Sequence, residues 1–220
     1  MSVWTDVVGQ ERAVAVLDAA ARSARALVRA RQAGSGAGPD AAAEFDVGPG
    51  AAGSDVGGAG TARSGTGTAG PGTGAASADA EPGQEPDADA SAMTHAWLIT
   101  GPPGSGRSVA ARAFAAALQC TGEVPGCGRC KPCRDVLAGS HPDVVRLATD
   151  KLLITMDEVK ELIGQAQRRP WTGSWRVILV EDADRMAERT TNVLLKSIEE
   201  PPPQTVWLLC TPSADDVLPT

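Results

Sequence analysis

The segment GPPGSGRS, residues 101–108, constrains the fold of this chain more than any other. It matches the pattern G-x-x-x-x-G-K-[ST] of a phosphate-binding loop except that Arg107 stands where lysine is expected. The apolar run HAWLIT precedes the segment and the alanine-rich run SVAARAFAAALQ follows it, so strand, loop and helix occur in the required order. The alternative interpretation is a glycine-rich turn that only joins a strand to a helix.

The loop supplies the candidate nucleotide-binding residues. Its glycines allow successive backbone N–H groups to point into one concavity, and the helix that follows adds the positive end of its dipole. Ser108 is placed to bind Mg²⁺. Arg107, however, is not interchangeable with the lysine that is usual at its position. We therefore expect that the loop accepts phosphate but does not support positioned hydrolysis. The complete candidate set is Gly101, Pro102, Pro103, Gly104, Ser105, Gly106, Arg107 and Ser108.

Four apolar runs have the length and composition of buried strands, and segments with helical spacing separate them. The runs are HAWLIT (95–100), DVVRLA (143–148), RVILVED (176–182) and TVWLLCT (205–211). Another helical segment spans residues 10–31, and Thr155 with Glu158 predicts a capping box at the start of a later helix. The predicted fold class is α/β, with a parallel sheet of the phosphate-loop NTPase type covered by helices on both faces.

Two acidic residues follow the third apolar run, in VILVEDADRM. A phosphate-loop ATPase needs an aspartate there for the Mg²⁺ shell and often a glutamate next to it to orient the attacking water. Glu181 and Asp182 are present in the reverse order, which displaces each carboxylate by about 1 Å, and an error of that size can cost roughly 100-fold in rate. They are candidate catalytic residues of a degenerate site, and a solvated acidic loop is the alternative.

Four of the five cysteines fall within 14 residues, in CTGEVPGCGRCKPC. Two overlapping C-x-x-C steps and a fourth thiol upstream provide four soft ligands for a tetrahedral Zn²⁺ ion, with no position left open for catalysis. A redox pair and an iron–sulfur cluster are the alternatives. Gly126 and Gly128 would supply tight turns, and Arg129 and Lys131 would offset the charge of the thiolates. The candidate metal ligands are Cys120, Cys127, Cys130 and Cys133.

The segment from 34 to 92 consists mostly of Gly, Ala, Ser, Thr, Pro and acidic residues, and its composition predicts a disordered linker. It holds nine of the 27 acidic residues but one of the 20 basic residues, which leaves 18 acidic and 19 basic residues elsewhere. The net charge of −7 is therefore a property of the linker. No apolar run is long enough to span a membrane and no secretory signal begins the chain, so we expect a cytoplasmic protein with reduced thiols.

Five stretches occur together and in a fixed order: VVGQERAVAVL, HAWLITGPPGSGRS, the cysteine insert, VILVEDADRM and NVLLKSIEEPPPQTVWLLCT. In this combination the chain resembles the AAA+ subunits of the bacterial clamp loader, the part of DNA polymerase III that opens the sliding clamp and places it on primed DNA. The resemblance covers everything except the linker. It implies an N-terminal helical segment at 1–33, the linker at 34–92, and an AAA+ core at 93–220 with a zinc insert at 120–133.

The family contains motor subunits with intact ATP sites and relatives with degraded sites. Arg107 and the reversed acids make the chain most similar to the delta-prime type, with the gamma/tau type as the second choice. The resemblance implies a hetero-oligomer with other clamp-loader subunits, which meets the sliding clamp and primed DNA through the complex and contacts no membrane. It implies membership of a DNA polymerase (nucleotidyltransferase) holoenzyme, ATP with Mg²⁺ as a candidate ligand, and weak or absent hydrolysis by this subunit.

The resemblance also implies that a Ser-Arg-Cys motif, a helical lid and an oligomerisation domain would come after Thr220. We therefore interpret the AAA+ core as C-terminally truncated. Two other functions stay open at this stage. One is an ATP-hydrolysing motor subunit of the gamma/tau type that tolerates Arg107, and the other is a zinc-stabilised nucleic-acid-binding module in which the glycine loop is only a turn. The near-neutral charge outside the linker disfavours the latter.

Overall fold

A computed structural model describes residues 2–34 and 93–217 of the chain. The predicted linker lies outside the described residues, except that Gly34 forms the last residue of the first helix. Within the described residues, no helix has both the length and the apolar character needed to cross a bilayer.

The core of the structure is a four-stranded sheet in which every pairing is parallel. The strands are β1 (Ala96–Thr100), β2 (Val144–Leu147), β3 (Arg176–Val180) and β4 (Thr205–Thr211). Their order across the sheet is β1-β4-β3-β2, and every residue of β3 and β4 is buried. The predicted α/β class with a parallel sheet is confirmed. The apolar runs of β3 and β4 were recognisable because strands buried on both faces do not alternate between apolar and polar residues.

Helices cover both faces of this sheet. They are α1 (Glu11–Gly34), α2 (Arg107–Leu118), α3 (Lys131–Leu137), α4 (Met156–Ala166) and α5 (Glu188–Glu199). The buried alanines of α1 and α2 pack with one set of alternating strand residues, including Val177 and Leu208. Residues of α4 and α5 pack with the other set, including Ile178 and Trp207. Alanine allows α2 to lie close to the sheet, and Phe114 and Leu118 are its large buried side chains.

The local signals for helix ends agree with the structure. The side chain of Thr155 accepts a hydrogen bond from the Glu158 backbone and Glu158 reciprocates, which confirms the predicted capping box on α4. Helix α5 ends at Glu199, and its C-cap Glu200 directly precedes the proline run that cannot continue it. Three short 3₁₀ helices, Val3–Asp6, Ala183–Arg185 and Ala214–Asp216, complete the described elements.

The buried carboxylate of Asp143 organises the amino-terminal edge of the sheet. Asp143 is fully buried and accepts hydrogen bonds from the backbone N–H groups of Trp171, Thr172 and Gly173 at 2.6–2.7 Å. Its second partner is the guanidinium of Arg176, 3.8 Å away. Burial raises the pKa of Asp143, but the hydrogen bonds from that backbone outweigh burial and hold the pKa below its usual range. Asp143 therefore fixes the loop that connects α4 to β3.

We expect the substitution Asp143→Asn to lower the free energy of unfolding by about 3 kcal/mol, because it leaves a buried guanidinium without its countercharge. The folded-state pKa of Asp143 is depressed, so its contribution is complete above the ordinary carboxyl range and is lost as pH falls toward the folded-state pKa. In urea titrations, the difference in free energy of unfolding between the unsubstituted chain and the Asp143→Asn variant should therefore become smaller over that acidic interval. The exposed Asp150→Asn variant is the control, and an equal loss in both variants would contradict this role.

Candidate functional site

The glycine loop joins the end of β1 to the start of α2 at the carboxyl edge of the sheet, where parallel α/β folds bind their ligands. Gly106 is the N-cap of α2 and has a left-handed backbone with φ of 85°. A Cβ atom at Gly101 would lie 2.7 Å from the Ser105 hydroxyl oxygen, so this position also requires glycine. The backbone of the loop thus has the strand–loop–helix form of a phosphate cradle.

The side chain of Arg107 lies back across this loop. One guanidinium nitrogen donates a hydrogen bond to the Gly101 carbonyl oxygen, and another lies 3.7 Å from a carboxylate oxygen of Asp182. The side chain is 10% exposed, so the cation is held inside the site and does not extend into solvent. Arg107 therefore connects the loop to the acidic end of β3.

Both acidic residues that follow β3 are paired with arginines of the same chain. The carboxylate of Glu181 accepts two hydrogen bonds from Arg146, at 2.7 and 3.0 Å, in a forked arrangement. Asp182 has a left-handed backbone, with φ of 51°, and its carboxylate lies 3.3 Å from Arg185 as well as near Arg107. Each candidate Mg²⁺-binding or water-orienting carboxylate is thus already neutralised.

Arg146 and Arg185 are site residues that the sequence analysis did not identify. Arg146 lies in β2 opposite Leu179 of β3, two residues before Glu181. A charged residue within an otherwise apolar strand was the available signal for this pair. Arg185 follows Asp182 by three residues in the short helix Ala183–Arg185 and also donates to the Thr149 carbonyl oxygen.

The backbone and the side chains of the site differ in how well they fit ATP with Mg²⁺. The backbone of the loop and the start of α2 fit a phosphate group. The side chains do not fit the metal ion, because Glu181 and Asp182 are engaged by three cations and Arg107 stands in place of lysine. Ser108 lies in the first turn of α2, where the sequence placed it.

The N-terminal segment also contacts the loop. The side-chain amide of Gln10 donates a hydrogen bond to the Ser105 carbonyl oxygen. This contact joins residues on either side of the predicted linker, and the sequence analysis did not anticipate it. The loop is therefore held both by the sheet and by the residue that precedes α1.

The four clustered cysteines form a second candidate site beside α2 and α3. Their sulfur atoms all lie within 4.8 Å of one another, and the Sγ atoms of Cys120 and Cys130 are 3.9 Å apart. Four thiolates at about 2.3 Å from a central Zn²⁺ ion would have sulfur–sulfur separations of about 3.8 Å. The cluster thus has the donor set and nearly the spacing for a tetrahedral metal ion, as the sequence predicted.

Local structure brings these sulfur atoms together. Cys120 follows α2, Cys130 is the N-cap of α3, and Cys133 lies buried in its first turn. Backbone N–H groups donate to two of the sulfurs, from Gly122 to Cys120 at 3.3 Å and from Cys130 to Cys127 at 3.4 Å. The predicted turns at Gly126 and Gly128 have left-handed backbones, with φ of 73° and 68°.

The thiols of the cluster differ in acidity. Burial raises the pKa of Cys130, but hydrogen bonds from the Cys133 and Thr121 backbone and from neighbouring thiols outweigh burial and lower the pKa to about 6. Burial and the hydrogen bond with Cys130 raise the pKa of Cys133. The fifth cysteine, Cys210, is buried in β4 apart from the cluster, where burial raises its pKa to about 12.

The strand–loop–helix unit, the parallel sheet and the acidic end of the adjacent strand together define a protein of the phosphate-loop α/β class. Within that class, the chain belongs to the family described as DNA polymerase III, delta subunit, because the sequence model of that family matches residues 85–220.

Curated relatives agree with this assignment. The chain is 38% identical over 130 residues to DNA polymerase III subunit delta' of Pseudomonas aeruginosa, an alignment that covers 57% of this chain and 40% of that protein. It is 34% identical over 132 residues to subunit delta' of Escherichia coli, covering 57% and 39%. It is 32% identical over 122 residues to subunit tau/gamma of Haemophilus influenzae, covering 54% and 17%. The aligned part thus spans about two fifths of the delta' relatives.

We expect Gly122→Ala to disturb the cysteine cluster, because a Cβ atom at this position would lie 2.8 Å from the sulfur of Cys127. Displacing a sulfur ligand should weaken metal binding about tenfold or more, as changes around a first coordination shell do. Titration with Co²⁺, followed by its thiolate absorption bands, measures the affinity. Gly164→Ala is the matched control, since its Cβ would meet nothing within 4 Å. Equal affinities in the two variants would refute this reading of Gly122.

Proposed function

We propose that this chain acts as a subunit of the bacterial DNA polymerase III clamp-loader complex and helps to load the sliding clamp on primed DNA. Family membership and the delta' relatives support this assignment. Its partners would be the other clamp-loader subunits in a hetero-oligomer, and it would meet the clamp and DNA through that complex. The relatives of the tau/gamma type make a motor subunit the competing function.

The observation that distinguishes a supporting subunit from a motor is the pairing of both acids by arginines. A carboxylate that binds Mg²⁺ must present free oxygen lone pairs to the ion, yet those of Glu181 and Asp182 already face guanidinium groups. Arg107 links Asp182 to the loop and thereby holds the loop in its cradle form without a ligand. The proposed role is a rigid subunit whose nucleotide site retains its shape but does not hydrolyse ATP.

We propose that the cysteine cluster holds a structural Zn²⁺ ion. Cys120, Cys127, Cys130 and Cys133 would occupy all four coordination positions, so the ion would have no open position for a substrate. When bound, zinc would supply a cross-link between the end of α2 and the start of α3. The cluster's own residues shape this site through the N–H groups of Gly122 and Cys130, which point at sulfur atoms.

Metal analysis tests the zinc assignment. We expect one Zn²⁺ per chain after purification under reducing conditions, and a lower thermal midpoint after removal of the ion with a chelator, because binding energy contributes to folding. Replacement of Cys127 by serine should abolish stoichiometric binding, whereas Cys210→Ser should retain it because Cys210 lies outside the cluster. Bound iron with visible absorption, or a chain that binds no metal, would contradict the assignment.

ATP turnover tests the supporting role against the motor role. We expect the purified chain to release phosphate at the background rate with ATP and Mg²⁺. The combined substitution Arg107→Lys, Glu181→Asp and Asp182→Glu restores the usual residue order, and should raise turnover on the order of 10- to 100-fold in a complex with purified clamp-loader subunits. Arg189→Lys, on the exposed surface of α5, is the matched control.

Two outcomes would favour the motor function instead. The first is Mg²⁺-dependent turnover by the unsubstituted chain that disappears in the Ser108→Ala variant. The second is a triple variant that is less active than the unsubstituted chain. Failure of the chain to co-elute with purified gamma/tau and delta subunits in size-exclusion chromatography would contradict the assembly role itself.

A further inference from the structure

Arg25 of α1 binds the first turn of the cysteine insert through three hydrogen bonds. One guanidinium nitrogen donates to the carbonyl oxygens of Gly122, at 2.7 Å, and Glu123, at 2.9 Å. Another donates to the carbonyl oxygen of Cys120 at 2.6 Å. A single planar side chain thus holds three of the four carbonyl groups of residues 120–123, and it comes from a helix that lies about 95 residues earlier in the chain.

These carbonyl groups belong to the turn that positions the first sulfur ligand. The N–H group of Gly122 in the same turn donates to the Sγ atom of Cys120 at 3.3 Å. A Cβ atom at Gly122 would lie 3.5 Å from that sulfur and 2.8 Å from the sulfur of Cys127, so the turn has little freedom to move without moving the ligands. The peptide unit that carries this N–H group lies between two units whose carbonyl groups Arg25 holds, so Arg25 restrains the N–H group and, through the turn, the two sulfurs.

The charge of Arg25 also lies where a metal site can use it. Four thiolates around a divalent ion carry two excess negative charges, which nearby cations stabilise. Sequence alone pointed to Arg129 and Lys131 for this purpose. However, Lys131 pairs with Asp135 at 2.5 Å, and Arg25 is bonded directly to the backbone of the first ligand, Cys120.

A second contact shows that the N-terminal segment and the insert pack as one unit. The backbone N–H of Val3 donates to the Gly126 carbonyl oxygen at 2.9 Å. A Cβ atom at Gly126 would lie 2.8 Å from the Val3 side chain, so the two backbones approach closely. Residues that precede the insert by more than 90 positions therefore form hydrogen bonds with two of its turns.

We propose that Arg25 is a positioning residue for the metal held by the cysteine cluster. Its guanidinium sets the turn at 120–123 in the ligand-binding conformation and places a positive charge beside the thiolates. This inference rests on the proposed metal site. It has a reciprocal consequence, since an interaction that strengthens metal binding must be strengthened equally by the metal. Metal loading would then tighten the attachment of α1 to the insert.

The test compares metal affinities of variants of the whole chain, prepared metal-free under reducing conditions. Co²⁺ is titrated while its thiolate charge-transfer and d–d bands are recorded, and Zn²⁺ affinity follows from competition. We expect Arg25→Gln to weaken binding of both ions about 10- to 100-fold, the usual effect of losing an outer-shell contact. Arg25→Lys retains the charge but not the fork, and should weaken binding about three- to tenfold.

Arg29→Gln is the matched control, because Arg29 lies one turn further along α1 with an exposed side chain. The metal affinity of the Arg29→Gln variant should stay within about twofold of that of the unsubstituted chain, as for most exposed substitutions. A residue that only attached α1 to the core would lower the thermal midpoints of metal-free and metal-loaded protein equally. Positioning predicts a larger loss in the metal-loaded protein and altered d–d bands of bound Co²⁺.

The outcomes separate this inference from the metal site on which it rests. If the unsubstituted chain binds neither Co²⁺ nor Zn²⁺, the metal site and the role of Arg25 are both overturned. If the unsubstituted chain binds metal and Arg25→Gln binds it equally well, only the role of Arg25 is overturned. Should Arg25→Gln fail to fold, Arg25→Lys decides, and unchanged affinity in that variant rejects the proposal.

Discussion

At the carboxyl edge of the sheet, two acidic side chains face three arginines of the same chain, and the form of the candidate nucleotide site depends on these pairs. Arg146 fixes Glu181, while Arg107 and Arg185 fix Asp182. Arg107 also bonds to the Gly101 carbonyl, so the pairing holds the glycine loop against β3. In an active ATPase the ligand's phosphates and metal ion would balance these charges. Here arginines of the protein itself balance them, and we propose that this pairing supports the form of the loop and competes with Mg²⁺ for the carboxylates.

The cysteine cluster lies at the C-terminal end of α2, away from the glycine loop. It joins the end of α2 to α3, and α1 supports it through the contacts of Arg25. The same N-terminal segment reaches the glycine loop through Gln10. Residues of the N-terminal segment thus contact both sites.

The sequence predicted the features that depend on local patterns or short spacings. Strands β3 and β4 were evident because they are buried on both faces, and the capping box at Thr155 follows from residues three apart. The cysteine spacing predicted the cluster. Helix α3 was missed because it is seven residues long and begins within the insert. A charged residue in the apolar strand β2 was a local signal that Arg146 has a special role, but its pairing with Glu181, 35 residues away, depends on the register of β2 and β3. The contacts of Arg25 depend on tertiary packing and have no local signal.

We propose that internal ion pairs replace the metal-binding chemistry of the candidate nucleotide site. Calorimetric titration of the purified chain with ATP, in the presence and absence of Mg²⁺, tests this claim most directly. We expect that Mg²⁺ does not increase the affinity of the chain for ATP, because Glu181 and Asp182 are already paired with arginines. An affinity that rises tenfold or more on addition of Mg²⁺, about 1.4 kcal/mol of coupling, would contradict it.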